Sequence, residues 1–497
     1  MNTHCESFKG NGLFIVVQKV GVTMKIDDLL KKYNLLQKPC ISKGSSRHNP
    51  KPCKNNPRCT LGLNEKKWQQ EYKGEEHSDV CVREPDTPVG IVNHGSLCYS
   101  NVLLQLYFLV TPFRQGIYEY DLSTVASENE RKMAVLLQEV FAQIEFGNAT
   151  PVDPLEFVEG VQLSKTEQQD ANELYGLILS RLPRVAHHFG IKTSVITKCL
   201  SCNQVASKQD EHSYFLPVFL KARATTVEDG LAHAMKEEKM DGENQYACQN
   251  CQRKTDALIS RKISVLPKFL VLQVMRFEFN KDIKRRMKLR TLLAIREELQ
   301  LCNQTFNIRA IVVHLGASCN QGHYIIYVRD RTKNQWTEFN DEKVSKVTAA
   351  TLRKKLVEGN KKTAIKCEQG VFVSNNAYIL MYESKGTEHP DTHLSAKLLD
   401  KIVEENKKRL EDFENSETNL AVKKTQWEEK AVMMREKLPK LSDTDPKNSD
   451  LISLEWIKEW AKDPSTCGCI KNEELLCAHN KLQPQKWQEV RCINIEL

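Results

Sequence analysis

The stretch PVGIVNHGSLCYSNVLLQLYFLV, Pro88 to Val110, decides how this chain is read. Gly95 lies three residues before Cys98, and Leu103, Leu104, Leu106, Leu109 and Val110 follow it until Pro112 stops the run. The pattern predicts a loop feeding a buried helix, with a thiol on the first turn. The thiolate is the nucleophile, an ordinary thiol titrates near ~8.5, and the unpaired N–H groups of a helix N-terminus favour the charged form. Asn93, five residues upstream, offers a side-chain amide for a developing oxyanion. Cysteine is also among the most buried residue types, and this chain has 17 of them, so Cys98 alone does not establish catalysis.

A base for that thiol lies more than two hundred residues downstream, in GHYIIYVRDRTKNQWTEFND, Gly322 to Asp341. Tyr324, Ile326 and Val328 alternate after His323, as in a strand. A second strand from Trp336, paired antiparallel to the first, would carry Asn340 or Asp341 to the His323 ring. Either residue can orient a base from its far nitrogen.

A second chemistry sits between these strings. Cys199 and Cys202 in ITKCLSCNQ, and Cys248 and Cys251 in YACQNCQRK, form two Cys-x-x-Cys pairs. Four thiolates suit tetrahedral Zn²⁺, in a structural role because no position is left open for water. The wide separation of the pairs suits two hairpin turns meeting at the tip of long strands. Between them SKQDEHSYFLPVFL reads as strand and TTVEDGLAHAMKEEK as helix. QQDANEL, Gln168 to Leu174, suits a helix start, with Asp170 and Glu173 three apart on one face.

Taken in order, the Cys98 string, QQDANEL, LPKFLVLQVMRF (Leu266 to Phe277), GHYIIYV and WTEFND resemble the boxes of the ubiquitin-specific proteases, across residues 88–384. The resemblance implies an α+β, papain-like cysteine protease fold with palm, thumb and zinc-bearing fingers, the fingers at about 195–260. It implies hydrolysis of the isopeptide bond after the C-terminal Gly-Gly of ubiquitin, with ubiquitin and ubiquitinated proteins as partners. By the same resemblance Cys98 is the nucleophile, His323 the general base, Asn340 the third member and Asn93 the oxyanion donor. Asp341 matches a second acidic position, and Asp170, Glu173 and Tyr324 match a channel that grips the ubiquitin tail. Zn²⁺ is expected on Cys199, Cys202, Cys248 and Cys251, and no cofactor in bond breaking. The strings NNPRCTLGLNEKKW and FNDEKV point to one subgroup of the family, of which this chain reads as a paralogue or a shortened form. Two positions depart from the family: Leu97 stands where Thr is usual, and His94 where Leu or Gln is usual. The rival readings are a catalytically weak ubiquitin-binding adaptor and a zinc-dependent interaction protein.

The 497 residues leave room for two or three domains, and a formal charge of +8 is spread too thinly to argue for direct nucleic-acid binding. The densest basic run, KDIKRRMKLR from Lys281 to Arg290, reads as a solvated loop in preference to an import signal. No run reaches the ~18 apolar residues of a membrane helix, and Leu13 to Val22 lacks the basic lead-in of a secretory signal. The cysteines show no disulfide spacing and a catalytic thiol needs reducing conditions, which points to cytoplasm and nucleus. Residues 1–87 read as an extension, with one amphipathic helix at Lys25 to Gln37 and an irregular Cys40, His48, Cys53, Cys59 group that would make a weak second zinc site. Residues 385–446 read as a charged helical linker with Leu394, Leu398, Ile402 and Leu410 as a stripe. Residues 447–497 resemble the first half of a small domain found in this family. Half a domain buries half a core, so this tail is expected to be poorly ordered or to depend on docking.

Overall fold

The computed structural model describes residues 81–497, apart from 86, 221–224, 281–284, 319–320, 332, 334, 358–368, 443–448, 463–472, 476–482, 484–485, 487–488 and 495–497. The expected helix at Lys25 to Gln37 and the Cys40–Cys59 group lie outside the described residues. The described chain divides into a unit from Cys81 to Asp412 and a second that holds the residues from Phe413 onward.

The first unit opens with helices α1 (Cys98–Phe108), α2 (Thr111–Tyr118), α3 (Glu128–Phe146), α4 (Leu155–Val161) and α5 (Ala171–Arg181). It continues through β1 (Ile191–Cys199), β2 (Val205–Ser213), β3 (Leu216–Phe219), α6 (Val227–Ala234), β4 (Glu238–Met240), β5 (Tyr246–Cys248), β6 (Arg253–Thr255), β7 (Ala257–Val265) and β8 (Phe269–Met275). Then come the hairpin of β9 (Phe277–Asn280) and β10 (Arg285–Lys288), followed by β11 (Glu298–Leu301), β12 (Gln304–Ser318), β13 (Gln321–Arg329), β14 (Trp336–Asn340), β15 (Lys343–Val347) and β16 (Ala377–Ser384).

The main sheet runs β15-β14-β13-β12-β16-β8-β3, with β11 paired to β12. Its strands read as near-continuous apolar runs because both faces are covered. Phe269, Val271, Ala310, Val312, Tyr324 and Ile326 join the helical core of α1–α5. Their sequence neighbours Leu270, Leu272, Ile311, Val313, Ile325 and Tyr327 join a second core, with α6, on the opposite face. This is the period-2 alternation of a pleated strand. A smaller sheet, ordered β2-β1-β7-β4, stands apart from the main one.

Two buried cations stitch the main sheet to its loops. Arg276, at the end of β8, is fully buried and donates to the carbonyls of Ala377, Leu289, Thr291 and Ser374. Burial lowers its guanidinium to about 9, and the four carbonyls supply the partners that a buried charge requires. Lys288 corrects the reading of the basic run as a solvated loop. It ends β10, is 8% exposed, and its ammonium donates to the His314 carbonyl, to Gly316 O at 3.2 Å and to Asn376 Oδ1 at 2.8 Å.

A long helix, α7 (Ala396–Ser442), follows. Its opening turns belong to the first unit: Ile402 is buried, and Leu398, with Leu394 just before the helix, lies against the helical core. Asn406 accepts from Asn148 N at 2.8 Å and donates to Phe146 O at 2.9 Å. The packing therefore extends past the expected start of the linker at Lys385, while Leu410, the last residue of the expected stripe, is exposed. In the second unit, β17 (Ser449–Ser453) pairs antiparallel with β18 (Val490–Asn494) beside α8 (Leu454–Lys462), and Ile452, Ile457, Leu475 and Val490 are buried.

Gly322 is required by close approach. A Cβ there would sit 2.3 Å from His314 Nε2 and 2.4 Å from Leu315 O, and His314 is fully buried. Gly322→Ala is expected to destabilise the protein by about 1–3 kcal/mol and to displace the start of β13. Chemical denaturation of the two proteins side by side checks this, and an unchanged midpoint would refute it.

Candidate active site

Cys98 begins α1, as the apolar spacing after it predicts, and is 3% exposed. The N-cap residue, Leu97, makes no side-chain cap, so the first N–H groups of the helix keep their positive end toward the sulfur. Leu97 acts through burial, and its own N–H donates to Asn93 Oδ1 at 3.1 Å. Gln168 Nε2 approaches Cys98 Sγ at 3.9 Å, a donor that sequence reasoning passed over although it lies in the quoted QQDANEL string.

β13 and β14 pair antiparallel, with Ile326 opposite Phe339. Continuing that register by one residue sets Asn340 across from Ile325, diagonal to His323 and on the same face. The side chains meet: His323 Nε2 lies 2.6 Å from Asn340 Oδ1. A carbonyl oxygen only accepts, so Nε2 carries the proton and Nδ1 is left for the thiol. The interaction with Cys98 is the main influence raising His323, followed by the Asn340 bond and the field of Asp341. Partial burial opposes them, and the imidazolium is pushed up to about 9.

Of the two orienters left open by the sequence, Asn340 makes the bond. Asp341 Oδ2 stands 3.9 Å from His323 and instead accepts from Asn93 Nδ2 at 2.8 Å. Asp341 occupies the β14–β15 turn with φ 50°, a left-handed conformation that Asp tolerates better than most residues. Asn93 is held from both ends, since its Oδ1 also accepts from Gly95 N at 3.1 Å. Its backbone N–H donates to Glu342 Oε1 at 2.7 Å. Asn101, one turn into α1 and also unforeseen, donates to Asp341 Oδ1 at 2.8 Å.

The expected channel residues divide. Asp170 is the N-cap of α5, accepting from Asn172 N at 2.8 Å, and it also accepts from the Tyr378 hydroxyl at 2.7 Å. Glu173 is exposed in the first turn of α5. Tyr324 is 1% exposed and packed against His314 with ring centroids 4.6 Å apart, so it is a core residue where Glu173 is open to solvent. Burial first, then the charge of Asp170, raises its phenol far above the usual tyrosine range.

The four cysteines converge at one end of the smaller sheet. The sulfurs of Cys199, Cys202, Cys248 and Cys251 all lie within 4.8 Å of one another, with Cys199–Cys251 at 3.9 Å and Cys202–Cys248 at 3.8 Å. A tetrahedron of Zn–S bonds of ~2.3 Å requires S···S edges of about 3.8 Å. Each pair closes as a knuckle: Ser201 N donates to Cys199 Sγ and Cys251 N to Cys248 Sγ, both at 3.4 Å. Asn203 and Gln252, each directly after a second cysteine, take left-handed φ of 60° and 50°.

The family model described as ubiquitin carboxyl-terminal hydrolase matches residues 89–382. The chain belongs to this family. It is 29% identical over 511 residues to ubiquitin carboxyl-terminal hydrolase 48 of Danio rerio, covering 93% of this chain and 48% of the relative. It is 27% identical over 472 residues to ubiquitin carboxyl-terminal hydrolase 26 of Oryza sativa subsp. japonica, covering 81% and 43%. With ubiquitin carboxyl-terminal hydrolase 47 of Xenopus tropicalis the identity is 23% over 393 residues, 62% of this chain and 29% of the relative. The chain spans about half the length of the first curated relatives it matches. Among the described residues no helix is long and apolar enough to cross a membrane.

His323 should stay protonated through neutral pH, with an NMR titration midpoint near about 9. In Cys98→Ala the chief cause of the upward shift is gone, so the midpoint should fall toward the ordinary ~6.5. A midpoint indifferent to Cys98 would mean that the two side chains do not form a pair.

Proposed function

We propose that this chain is a thiol-dependent deubiquitinase, hydrolysing the isopeptide or peptide bond after the C-terminal Gly of ubiquitin. The observation that carries the reading is the 2.6 Å His323–Asn340 bond at the mouth of a helix that begins with Cys98, in a chain of this family. In this reading the main sheet is the palm, helices α1–α5 the thumb and the smaller sheet the fingers. Residues 88–384 hold the catalytic machinery, after an extension at 1–87. A charged helical linker at 385–446 and the partial small domain at 447–497 follow.

His323 Nδ1 holds the Cys98 proton as an imidazolium beside the sulfur, while Asn340 holds the ring by its other nitrogen. The thiolate attacks the Gly carbonyl carbon and forms a tetrahedral adduct. Its oxyanion is held by the second hydrogen of Asn93 Nδ2 and the free N–H groups at the start of α1. Imidazolium then gives its proton to the departing lysine amine, and the thioester forms. Water, deprotonated by His323, hydrolyses that thioester and returns the thiol. Glu173, exposed near the α5 N-terminus, is placed to attract a basic ubiquitin tail. Asp170 has its oxygens committed to the α5 cap and to Tyr378, so it shapes the channel wall beside the buried Tyr324.

Zn²⁺ on Cys199, Cys202, Cys248 and Cys251 would lock the two knuckles together and supply no chemistry to the reaction. The knuckle N–H donors and the sulfur spacing fit that ion. Ubiquitin and ubiquitinated proteins are the partners, and the reducing compartments, cytoplasm and nucleus, suit both the thiol and the cluster.

Ubiquitin carrying a C-terminal thiol-reactive group should form a covalent adduct with the purified protein and none with Cys98→Ala. A protein that is folded and binds ubiquitin but gives no adduct would favour the adaptor reading. Independently, mercurial release of the metal should liberate about one zinc per chain, and Cys248→Ser should lose it. A zinc content unchanged by Cys248→Ser would place the ion elsewhere.

A further inference from the structure

We infer that Asn101 is a positioning residue, which acts through the Asp341 carboxylate to hold the Asn93 amide where the oxyanion forms, granted the hydrolase activity proposed above. Three side chains form one line: Asn101 Nδ2 donates to Asp341 Oδ1 at 2.8 Å, and Asn93 Nδ2 donates to Asp341 Oδ2 at 2.8 Å. The amide of Asn93 cannot turn over, because its Oδ1 accepts from Gly95 N and Leu97 N, both at 3.1 Å. One of its two amide hydrogens goes to Asp341, and the other is left for a substrate oxygen.

Asn101 is an unfavourable residue for stability where it stands. It is 2% exposed, on a helix whose Val102, Leu103, Leu104 and Leu106 are all buried. Its Oδ1 is buried with no hydrogen-bond partner among the described residues. A buried, unpaired carbonyl oxygen costs free energy that an apolar side chain would not. Its donor side has the opposite character. Besides Asp341 it reaches Ile91 O at 3.4 Å and Val92 O at 3.3 Å, in the segment that leads into Asn93. The residue therefore ties the nucleophile helix, the oxyanion loop and the triad hairpin at one point. Side chains that break a local rule of packing cluster where function needs them.

The same point is fixed from the backbone. Ile91 N donates to Asp341 O at 3.0 Å, and a Cβ on Gly90 would lie 2.3 Å from Glu342 O. The loop is thus already seated on the hairpin turn without Asn101. What Asn101 adds is a second donor on the carboxylate, which keeps Asp341 aimed and so keeps the Asn93 amide from following a shifted acceptor. The titratable group facing that carboxylate is His323, 3.9 Å away, and Glu342, next in sequence, accepts from Asn93 N.

The test separates oxyanion placement from thiolate reactivity. Turnover of a ubiquitin C-terminal amide and alkylation of Cys98 by iodoacetamide, read by mass spectrometry of its peptide, are measured for wild type, Asn101→Ala and Asn101→Asp. For Asn101→Ala, kcat should fall ~10- to 100-fold with KM within about twofold, below the loss of a whole oxyanion donor. Its Cys98 alkylation, which develops no oxyanion, should stay within about threefold of wild type. In Asn101→Asp two carboxylates face each other and share one proton at low pH, which restores a donor. Its kcat relative to wild type should therefore rise ~tenfold or more between pH 8 and pH 6. Unchanged kcat in Asn101→Ala overturns the inference, as do equal losses of turnover and alkylation. A flat ratio in Asn101→Asp also overturns it, and this arm decides alone if Asn101→Ala does not fold. An inert wild type is the failure of the hydrolase reading; an active wild type beside an unaffected Asn101→Ala is the failure of this inference only.

Discussion

One carboxylate, that of Asp341, is where three distant pieces of chain are joined. The loop before α1 brings Asn93, α1 brings Asn101 and the β14–β15 turn brings Asp341 itself. Backbone contacts already seat the loop on the hairpin turn, and this side-chain junction aligns a helix that begins with a thiol with a hairpin that orients an imidazole. Charge explains why an acid sits there. A carboxylate can accept from both amides at once, through different oxygens, and hydrogen bonds to an ionised acceptor are roughly twice as strong as neutral ones. A left-handed turn residue with a short polar side chain meets the backbone requirement at the same position.

The legible part of the site is the part with a local pattern. Cys98 announced itself by the apolar run that follows it up to Pro112. His323 and Asn340 were legible as a strand pair because alternation fixes which residues share a face and an antiparallel register fixes which of them meet. The sequence left Asn340 and Asp341 as equals, since a one-residue difference at a turn is decided by backbone geometry. The turn at Asp341 sends its side chain back toward α1 and leaves Asn340, still in the strand, facing His323. Asn101 and Gln168 were not legible because their partners lie in other segments, and only the folded chain says that an amide on a helix reaches a carboxylate on a hairpin.

Burial was the hardest property to read. Lys288 stands in a run of basic residues that looks solvated, yet its ammonium is held inside by two carbonyls and an amide oxygen. Tyr324 follows His323 directly, and strand alternation turns it to the opposite face, into the helical core. By contrast the four-cysteine cluster was fully legible. Its spacing is a property of the chain, and the left-handed residues after each pair are what allow a thiolate, its knuckle N–H and the next strand to share so little space.

The electrostatics of α1 extend the argument from the site to the core. A helix that presents its positive end to Cys98 must resolve its negative end elsewhere. Arg114 donates to Phe108 O and Arg331 lies 3.5 Å from Leu109 O, so two guanidiniums meet the last carbonyls of the helix. Each is tied to an acid: Arg114 Nε lies 2.8 Å from Glu145, and Arg331 lies 3.5 Å from Glu383, which also holds Arg309 at 2.9 Å. Buried ion pairs of this kind contribute little net stability, because desolvation offsets most of the attraction. Their effect is directional. They fix a cation at the carbonyl end of α1, Leu97 leaves the N–H end without a side-chain cap, and the axis between those two ends points its favourable field at a single sulfur.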